Sequence, residues 1–364
     1  MPERSGLDKN DSVGPHMSRS WTKGAAPRGY HSLMGKPTII DLAKHLGISK
    51  TTVADALKGS GRVADETRAR VMEAAKEIGY VSNRAARQLR ESSTGAIALY
   101  VPQRVRNMSF YMPFALGVAD EAAKHGYDLT LVSDRSADRS GWTHVDGAIL
   151  VDAMMGDPVV QSLIRSPVPI VTAGRIAGFP DARSSGIVEI EHTKMCGEIL
   201  DAMASRGAEH PALICPEPGD ESSWVRQIVL GYKEWCVRKN IRQVIEVVSS
   251  FPTNAQLEAS LVDALSGGDV DSLLFGWQDV AQRAEAALTR IGHGLGKVKL
   301  ASLLSSKDNL NESYIAGLDL QPYEFGQRTA ALLREAISSP PATPAHQLHE
   351  ALVIQPDGGA NTRT

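Results

Sequence analysis

The sequence predicts an all-α head followed by an α/β body, and three observations carry that prediction. Residues 38–57 hold two short helical patterns on either side of Gly47, and residues 65–78 add a third, amphipathic one. From Thr94 onward, short apolar runs alternate with helical stretches. At 364 residues and 42% hydrophobic content, the chain has material for two or three domains with real cores.

In the head, Thr38 stands three residues before Asp41, a capping pair that starts the first helix at Ile39. Leu42 and Leu46 fall on one face, Ala43 is small where two helices would cross, and Gly47 can take the positive φ of a sharp turn. Ser49 caps a second helix whose Val53, Ala56 and Leu57 face inward, leaving Lys50, Thr51, Ala54 and Asp55 outward. This is the pattern of a helix-turn-helix with an exposed reading helix; an ordinary helical hairpin shares it. The third helix, Asp65 to Ile78, is closed by Gly79. A short basic run, Asn83-Arg84-Ala85-Ala86-Arg87-Gln88-Leu89-Arg90, follows and carries one lone leucine.

Charge is uneven along the chain. Residues 36–93 hold 11 Lys and Arg against 7 Asp and Glu, net +4; residues 1–35 are net +2; with −3 overall, residues 94–364 carry −9. A basic head on an acidic body suits phosphate binding at one end. Cys196, Cys215 and Cys236 are odd in number and widely spaced, which fits a reducing cytoplasm and no metal motif. No apolar run has membrane-spanning length, and residues 1–35, rich in Gly, Ser, Pro and charge, read as a disordered leader with the folded part beginning near Met34.

In the body, Ala96–Val101, Tyr127–Val132, Gly147–Val151, Pro169–Thr172, Ala212–Cys215, Val244–Val248, Ser272–Phe275 and Val298–Ala301 read as buried parallel strands, with Leu352–Ile354 as a last strand. Helices are expected over Phe114–His125, 194–206, 224–239, 254–266, 279–291 and 323–338. The alternation is that of a doubly wound sheet, whose ligands sit at the carboxyl ends of the strands. Residues 94–364 carry no phosphate loop, no G-x-S-x-G elbow, no H-E-x-x-H and no Cys/His cluster, so neither an enzyme nor a cofactor is expected.

The chain resembles the lactose-repressor (LacI/GalR) family of bacterial transcription regulators. The resemblance rests on Asp41-Leu42-Ala43, Gly47-Ile48-Ser49, Thr52-Val53, Thr67-Arg68-Ala69-Arg70-Val71, Ile78-Gly79-Tyr80 and Asn83-Arg84-Ala85-Ala86-Arg87-Gln88-Leu89, and continues more weakly to about residue 355. It implies a body of two lobes, like periplasmic binding proteins of type I, with a small-molecule effector in the cleft. The domain plan is then a leader (1–35), a helix-turn-helix domain (36–81), a hinge helix (82–93), a two-lobed effector and dimerisation domain (94–356) and a frayed tail (357–364). The implied protein is a cytoplasmic homodimer on a near-palindromic double-stranded operator, with DNA affinity set by the effector. A body that only dimerises, and an enzyme fused to a DNA-binding head, are the competing readings.

On DNA, Lys50, Thr51 and Asp55 would face the bases, while Ser49, Thr52, Lys58, Asn83, Arg84 and Arg87 would hold phosphates or the hinge. Asp55 stands where the family usually has Arg, and a carboxylate can only accept, for instance from cytosine N4. Leu89 matches the hinge leucine that wedges into the minor groove at a pyrimidine–purine step. Ala64 replaces the usual Ser before the third helix, so Asp65 is expected to cap it.

For the effector, the resemblance and the strand ends point to Phe110, Tyr111, Arg175, His192, Ser223, Trp224, Arg226 and Trp277. Met108-Ser109 departs from the family's Asn-Pro before two aromatics, and His192 stands in place of a common Asp. Arg175 could equally face solvent, Glu191 could be a helix cap, and Trp224 could belong to a lobe core. Trp277-Gln278 replaces Asn-Asp, and Leu303-Leu304 replaces a later Asp, so carboxylates that chelate vicinal sugar hydroxyls are missing twice. A more apolar or aromatic ligand, or none, is expected.

Overall fold

The computed structural model describes residues 37–58, 63–80, 93–132, 142–217, 223–294, 296–304, 306–310 and 314–356. The expected leader, the hinge residues Asn83, Arg84, Arg87 and Leu89, and the tail lie outside the described residues. The chain divides into two compact units, Met1–Arg84 and Ala85–Thr364.

The head consists of α1 (Ile39–Leu46), α2 (Lys50–Lys58) and α3 (Asp65–Glu77). Thr38 and Asp41 form a full capping box: the Asp41 N–H donates to Thr38 Oγ1 at 3.3 Å and the Thr38 N–H donates to Asp41 Oδ2 at 2.9 Å. The Thr38 bonds hold the Asp41 carboxyl below its ordinary range. Gly47 takes φ 68°, the left-handed turn that lets α2 leave α1 sharply. Leu42, Val53 and Val71 are fully buried among Ala43, Ala56, Ala74 and Ala75. Each of those three larger side chains contributes roughly 1.5–3 kcal/mol, so this small core rests on few residues. Asp65 does not cap α3: the N-cap is Ala64, without a side-chain bond, and the Asp65 carboxylate meets Arg68 at 3.2 Å. Already in helical geometry, Asp65 instead places negative charge at the positive end of the helix.

The body holds two six-stranded sheets. In lobe 1 the order is β11-β5-β4-β3-β1-β2, built from β1 (Ala96–Tyr100), β2 (Asp128–Val132), β3 (Gly147–Val151), β4 (Ile170–Ala173), β5 (Gly186–Glu189) and β11 (Ala345–Leu348), all parallel. In lobe 2 the order is β12-β10-β9-β8-β6-β7, from β6 (Pro211–Pro216), β7 (Ile245–Val248), β8 (Ser272–Phe275), β9 (Lys299–Leu304), β10 (Tyr314–Asp319) and β12 (Leu352–Ile354). Only β12 runs antiparallel, against β10. The central strands are buried along their whole length, as two helix-covered faces require.

Among the described residues seven helices pack on these sheets: α4 (Tyr111–Lys124), α5 (Pro158–Ile164), α6 (His192–Ser205), α7 (Ser223–Lys239), α8 (Asn254–Leu265), α9 (Gln278–Arg290) and α10 (Pro322–Ser338). The chain crosses between lobes three times: from β5 into α6, from β10 into α10, and from β11 to β12. In lobe 1, α4 and α10 approach until a Cβ on Gly117 would lie 1.9 Å from the Tyr323 carbonyl oxygen and one on Gly326 would lie 2.1 Å from that of Phe114. Hydrogen in place of a side chain is what permits the contact.

Four elements were not expected from the pattern. Helix α5 and strands β5, β10 and β11 are short or interrupted: β5 ends in Glu189, β10 contains Gly317 and Asp319, and β11 is the edge strand Ala-His-Gln-Leu. Helix α4 begins at Tyr111 instead of Phe114, because Pro113 in the first turn gives up an N–H that has no helical partner anyway.

Candidate functional site

Two sites can be built from these elements, one in each unit. In the head, the first turn of α2 is organised by Ser49, whose Oγ accepts the Thr52 N–H at 3.0 Å and lies 2.8 Å from Thr52 Oγ1. Lys50 and Thr51 are exposed on that turn, and Asp55 and Thr52 are half-buried. Lys58 ends the helix. The exposed end of α2 therefore offers a cation and two or three hydroxyls at a helix N-terminus, where backbone N–H groups favour anions.

In the body, the cleft between the lobes is formed by strand ends and by the first two crossings. It encloses about 760 Å³ of space between atoms, its mouth included. Lobe 1 supplies Met108, Ser109, Phe110 and Tyr111 after β1, Asp152 after β3, Arg175 after β4 and Glu189 at the end of β5. Lobe 2 supplies His192, Ser223, Trp224 and Gln227 from α6 and α7, then Trp277, Gln278 and Asp279 after β8, and Leu303-Leu304 from β9. Leu320 and Phe325 close the second crossing.

Most polar groups on the lobe 1 side are already engaged. Arg175 pairs with Glu189: Nη2 donates to Oε1 at 2.8 Å and Nε lies 2.8 Å from Oε2, while His346 Nε2 lies 2.7 Å from the same Oε1. The Arg175 side chain is thus half open to solvent yet anchored at its head, which reconciles the two expectations for it. The Tyr111 hydroxyl donates to the Asp152 carboxylate, and the Arg104 guanidinium donates to the Asp152 backbone oxygen. Burial pushes the Asp152 carboxyl up and the Tyr111 phenol well up. Asp152 also holds φ 44°, a left-handed conformation that Asp tolerates better than most residues and that concentrates at functional positions. Across the cleft, the Ser109 N–H and Oγ–H donate to Asp279 Oδ2 at 3.2 and 3.1 Å, tying one lobe to the other.

The lobe 2 side is different in kind. Burial pushes His192 down to about 4, so it stands neutral at pH 7, with its ring 6.4 Å from that of Trp224. Glu191 is the N-cap residue of α6 but makes no side-chain capping bond. Trp277 is buried, and Trp224 is half-buried against the core. Both indole Nε1 atoms are buried without a hydrogen-bond partner among the described residues.

The cleft brings together Phe110, Tyr111, Arg175, His192, Ser223, Trp224 and Trp277. Arg226 is the exception. It does not line the cleft but borders an adjoining depression that shares Arg175, Ser223 and Gln227 with it and adds Ile176, Phe179 and Leu230. Asp152, Glu189 and Gln227 were missed by the sequence reading; nothing local marks the first two, whereas helical spacing from Ser223 and Trp224 could have found Gln227. Among the described residues no His, Cys, Asp or Glu group could hold a metal ion, and no helix is long and apolar enough to cross a membrane.

Comparison with known proteins bears on both sites. Residues 38–83 match the family model described as bacterial regulatory proteins, lacI family. The chain is 32% identical over 209 residues to the HTH-type transcriptional regulator CelR of Thermobifida fusca, covering 55% of this chain and 61% of that protein. It is 31% identical over 182 residues to the HTH-type transcriptional regulator AglR of Rhizobium meliloti (strain 1021), covering 48% and 51%. The match thus spans about half to three-fifths of these relatives. Among solved structures, a transcriptional regulator CelR–cellobiose complex superposes with a TM-score of 0.63 at 23% identity, over 88% of this chain and 98% of that one. The lac repressor dimer bound to operator and the anti-inducer ONPF gives 0.68 at 17% identity, over 88% and 98%. At these identities the likeness shows the fold: a helix-turn-helix head and two α/β lobes.

Proposed function

With residues 38–83 belonging to the lacI family of bacterial regulatory proteins, we propose that the chain is a transcriptional regulator that binds a near-palindromic operator as a homodimer and responds to a small molecule held between its lobes. The observation that carries the regulator reading is the match of the head, with its capped α2 presenting Lys50 and Thr51 to solvent. In this reading 36–81 reads DNA, 82–93 is the hinge and 94–356 binds the effector and dimerises. Lys50, Thr51 and Asp55 face base edges, and Ser49, Thr52 and Lys58 hold phosphates.

Support for the dimer comes from apolar side chains left uncovered on matching edges of the two lobes: Met112, Leu116 and Leu131 along α4 and β2, and Val247, Phe251 and Val262 along β7 and α8. β2 and β7 are the corresponding edge strands of the two sheets. Exposed apolar side chains placed in this way on each lobe suit a symmetric partner. Support for an effector comes from the cleft, where strand ends of both lobes converge at the crossings, and from the relative whose structure contains cellobiose.

Selection of the full-length chain on random double-stranded oligonucleotides tests the reading. A near-palindromic consensus is expected, with Asp55→Arg changing one symmetric pair of positions at a cost of about 1–3 kcal/mol per altered contact. Failure to enrich any site sinks the regulator reading; an unchanged consensus in the variant removes Asp55 from the bases.

A further inference from the structure

Resting on the reading of the cleft as an effector site, we infer that its ligand is an uncharged, largely apolar ring compound that carries hydrogen-bond acceptors. The argument begins with the two indoles. A buried donor is ordinarily satisfied by protein, water or ligand, and an indole N–H can only donate. Trp224 and Trp277 both line the cleft, and their buried N–H groups have no partner among the described residues. What completes them must accept: a carbonyl, ether or ring-nitrogen atom of the ligand.

Charge narrows the class. Among the described lining residues the only guanidinium, that of Arg175, is spent on Glu189, and Asp152 and Asp279 add two carboxyl groups nearby. An anionic ligand would find no unspent cation among the described lining residues. A cation gains little either, since Arg104 offsets the charge of Asp152, Arg175 offsets that of Glu189, and Asp279 lies in the first turn of α9, at the positive end of that helix. His192 is neutral. Finally, the lining also includes Leu303, Leu304, Leu320 and Phe325, against which the hydroxyls of a polyol would be stripped of water and left unbonded. An apolar ring face loses nothing there.

The test uses the full-length chain labelled with ¹⁵N-tryptophan, whose five tryptophans give five indole signals, assigned with Trp224→Phe and Trp277→Phe. The probes are coumarin and related neutral bicyclic lactones and ketones, their carboxylate and ammonium counterparts, and cellobiose. The neutral compounds should move the indole signals of Trp224 and Trp277 and bind at least tenfold more tightly than their charged counterparts or cellobiose. Trp277→Phe, which keeps a ring and loses the donor, should weaken that binding roughly threefold to tenfold. Tighter binding of cellobiose or of a charged counterpart, or neutral compounds that leave both indole signals unmoved, overturns the inference. Operator affinity is read in parallel: a neutral compound that moves the indoles without changing operator affinity sinks the effector reading and leaves the ligand class standing. Cellobiose that changes both does the reverse.

Discussion

The two walls of the cleft were built on different principles from the same kind of lobe. Lobe 1 presents polar side chains, and nearly all of them are paired: Arg175 with Glu189, Tyr111 with Asp152, Ser109 with Asp279 across the gap. Lobe 2 presents Trp224, Trp277, Leu303 and Leu304, with a neutral His192 and two unpartnered indole donors. The Arg175–Glu189 pair cancels its own charge, and the two hydroxyl–carboxylate bonds hold Asp152 and Asp279 in place, so this wall is fixed in shape by its own contacts. Unpaired donors in an apolar wall do the opposite and create a demand that a ligand can meet. The comparison locates rigidity in lobe 1 and recognition in lobe 2.

The largest effect should come from the helix crossing behind the lobe 1 wall. Gly117→Ala would push a methyl group into the Tyr323 carbonyl oxygen, a backbone atom that cannot turn aside. We expect a loss of about 3 kcal/mol in the unfolding of the body, seen as a lower denaturant midpoint, with the unfolding of the head unchanged. A loss below about 1 kcal/mol would show that α4 and α10 slide apart easily and that lobe 1 is not the rigid wall.

Next is His192 on the lobe 2 wall. Its imidazole is pushed from 6.5 down to about 4 by burial, so the unfolded chain binds the proton more readily than the folded one. The stability it contributes is complete above pH 6.5 and is lost as pH falls toward 4, by up to about 3 kcal/mol. Burial also lowers His349, so the comparison must be with a variant and not with a flat line. His192→Asn should reduce the slope of stability against pH between 6.5 and 4. An identical slope in variant and parent would mean that the imidazole is hydrated and the wall is wet.

The smallest effect belongs to the tie between the walls. Ser109→Ala and Asp279→Ala should each cost about 1 kcal/mol, and the double variant should cost less than their sum. A double-mutant cycle separates this bond from the effect of Asp279 in the first turn of α9. Strict additivity would show that the lobes are held by packing alone.

Much of this was legible in the sequence wherever the deciding interactions are local. Thr38 and Asp41 cap α1 from three residues apart, Gly47 turns the chain, and Val53 and Ala56 find the core by helical spacing. The buried strands of the body announce themselves as apolar runs for the same reason. Where an element owed its existence to its neighbours the pattern was silent: β11 forms because β5 offers its edge, and β10 accommodates Gly317 because Leu304, Leu310 and Ile354 fill the space beside it. The site divides along the same line. Trp224 and Trp277 stood out by residue type and strand-end position, whereas Arg226 borders the depression adjoining the cleft, a placement set by how α7 packs.

By itself, then, the sequence determined the helix-turn-helix, the alternating α/β body and the loops from which a cleft could be made, since each depends on residues within a turn or a strand of one another. Only the tertiary structure decided that Glu189 neutralises Arg175, that Tyr111 occupies Asp152, that Ser109 meets Asp279 from 170 residues away, and that two indoles are left wanting. Those facts depend on which strand ends the three crossings bring together, and no local spacing encodes a distance between lobes.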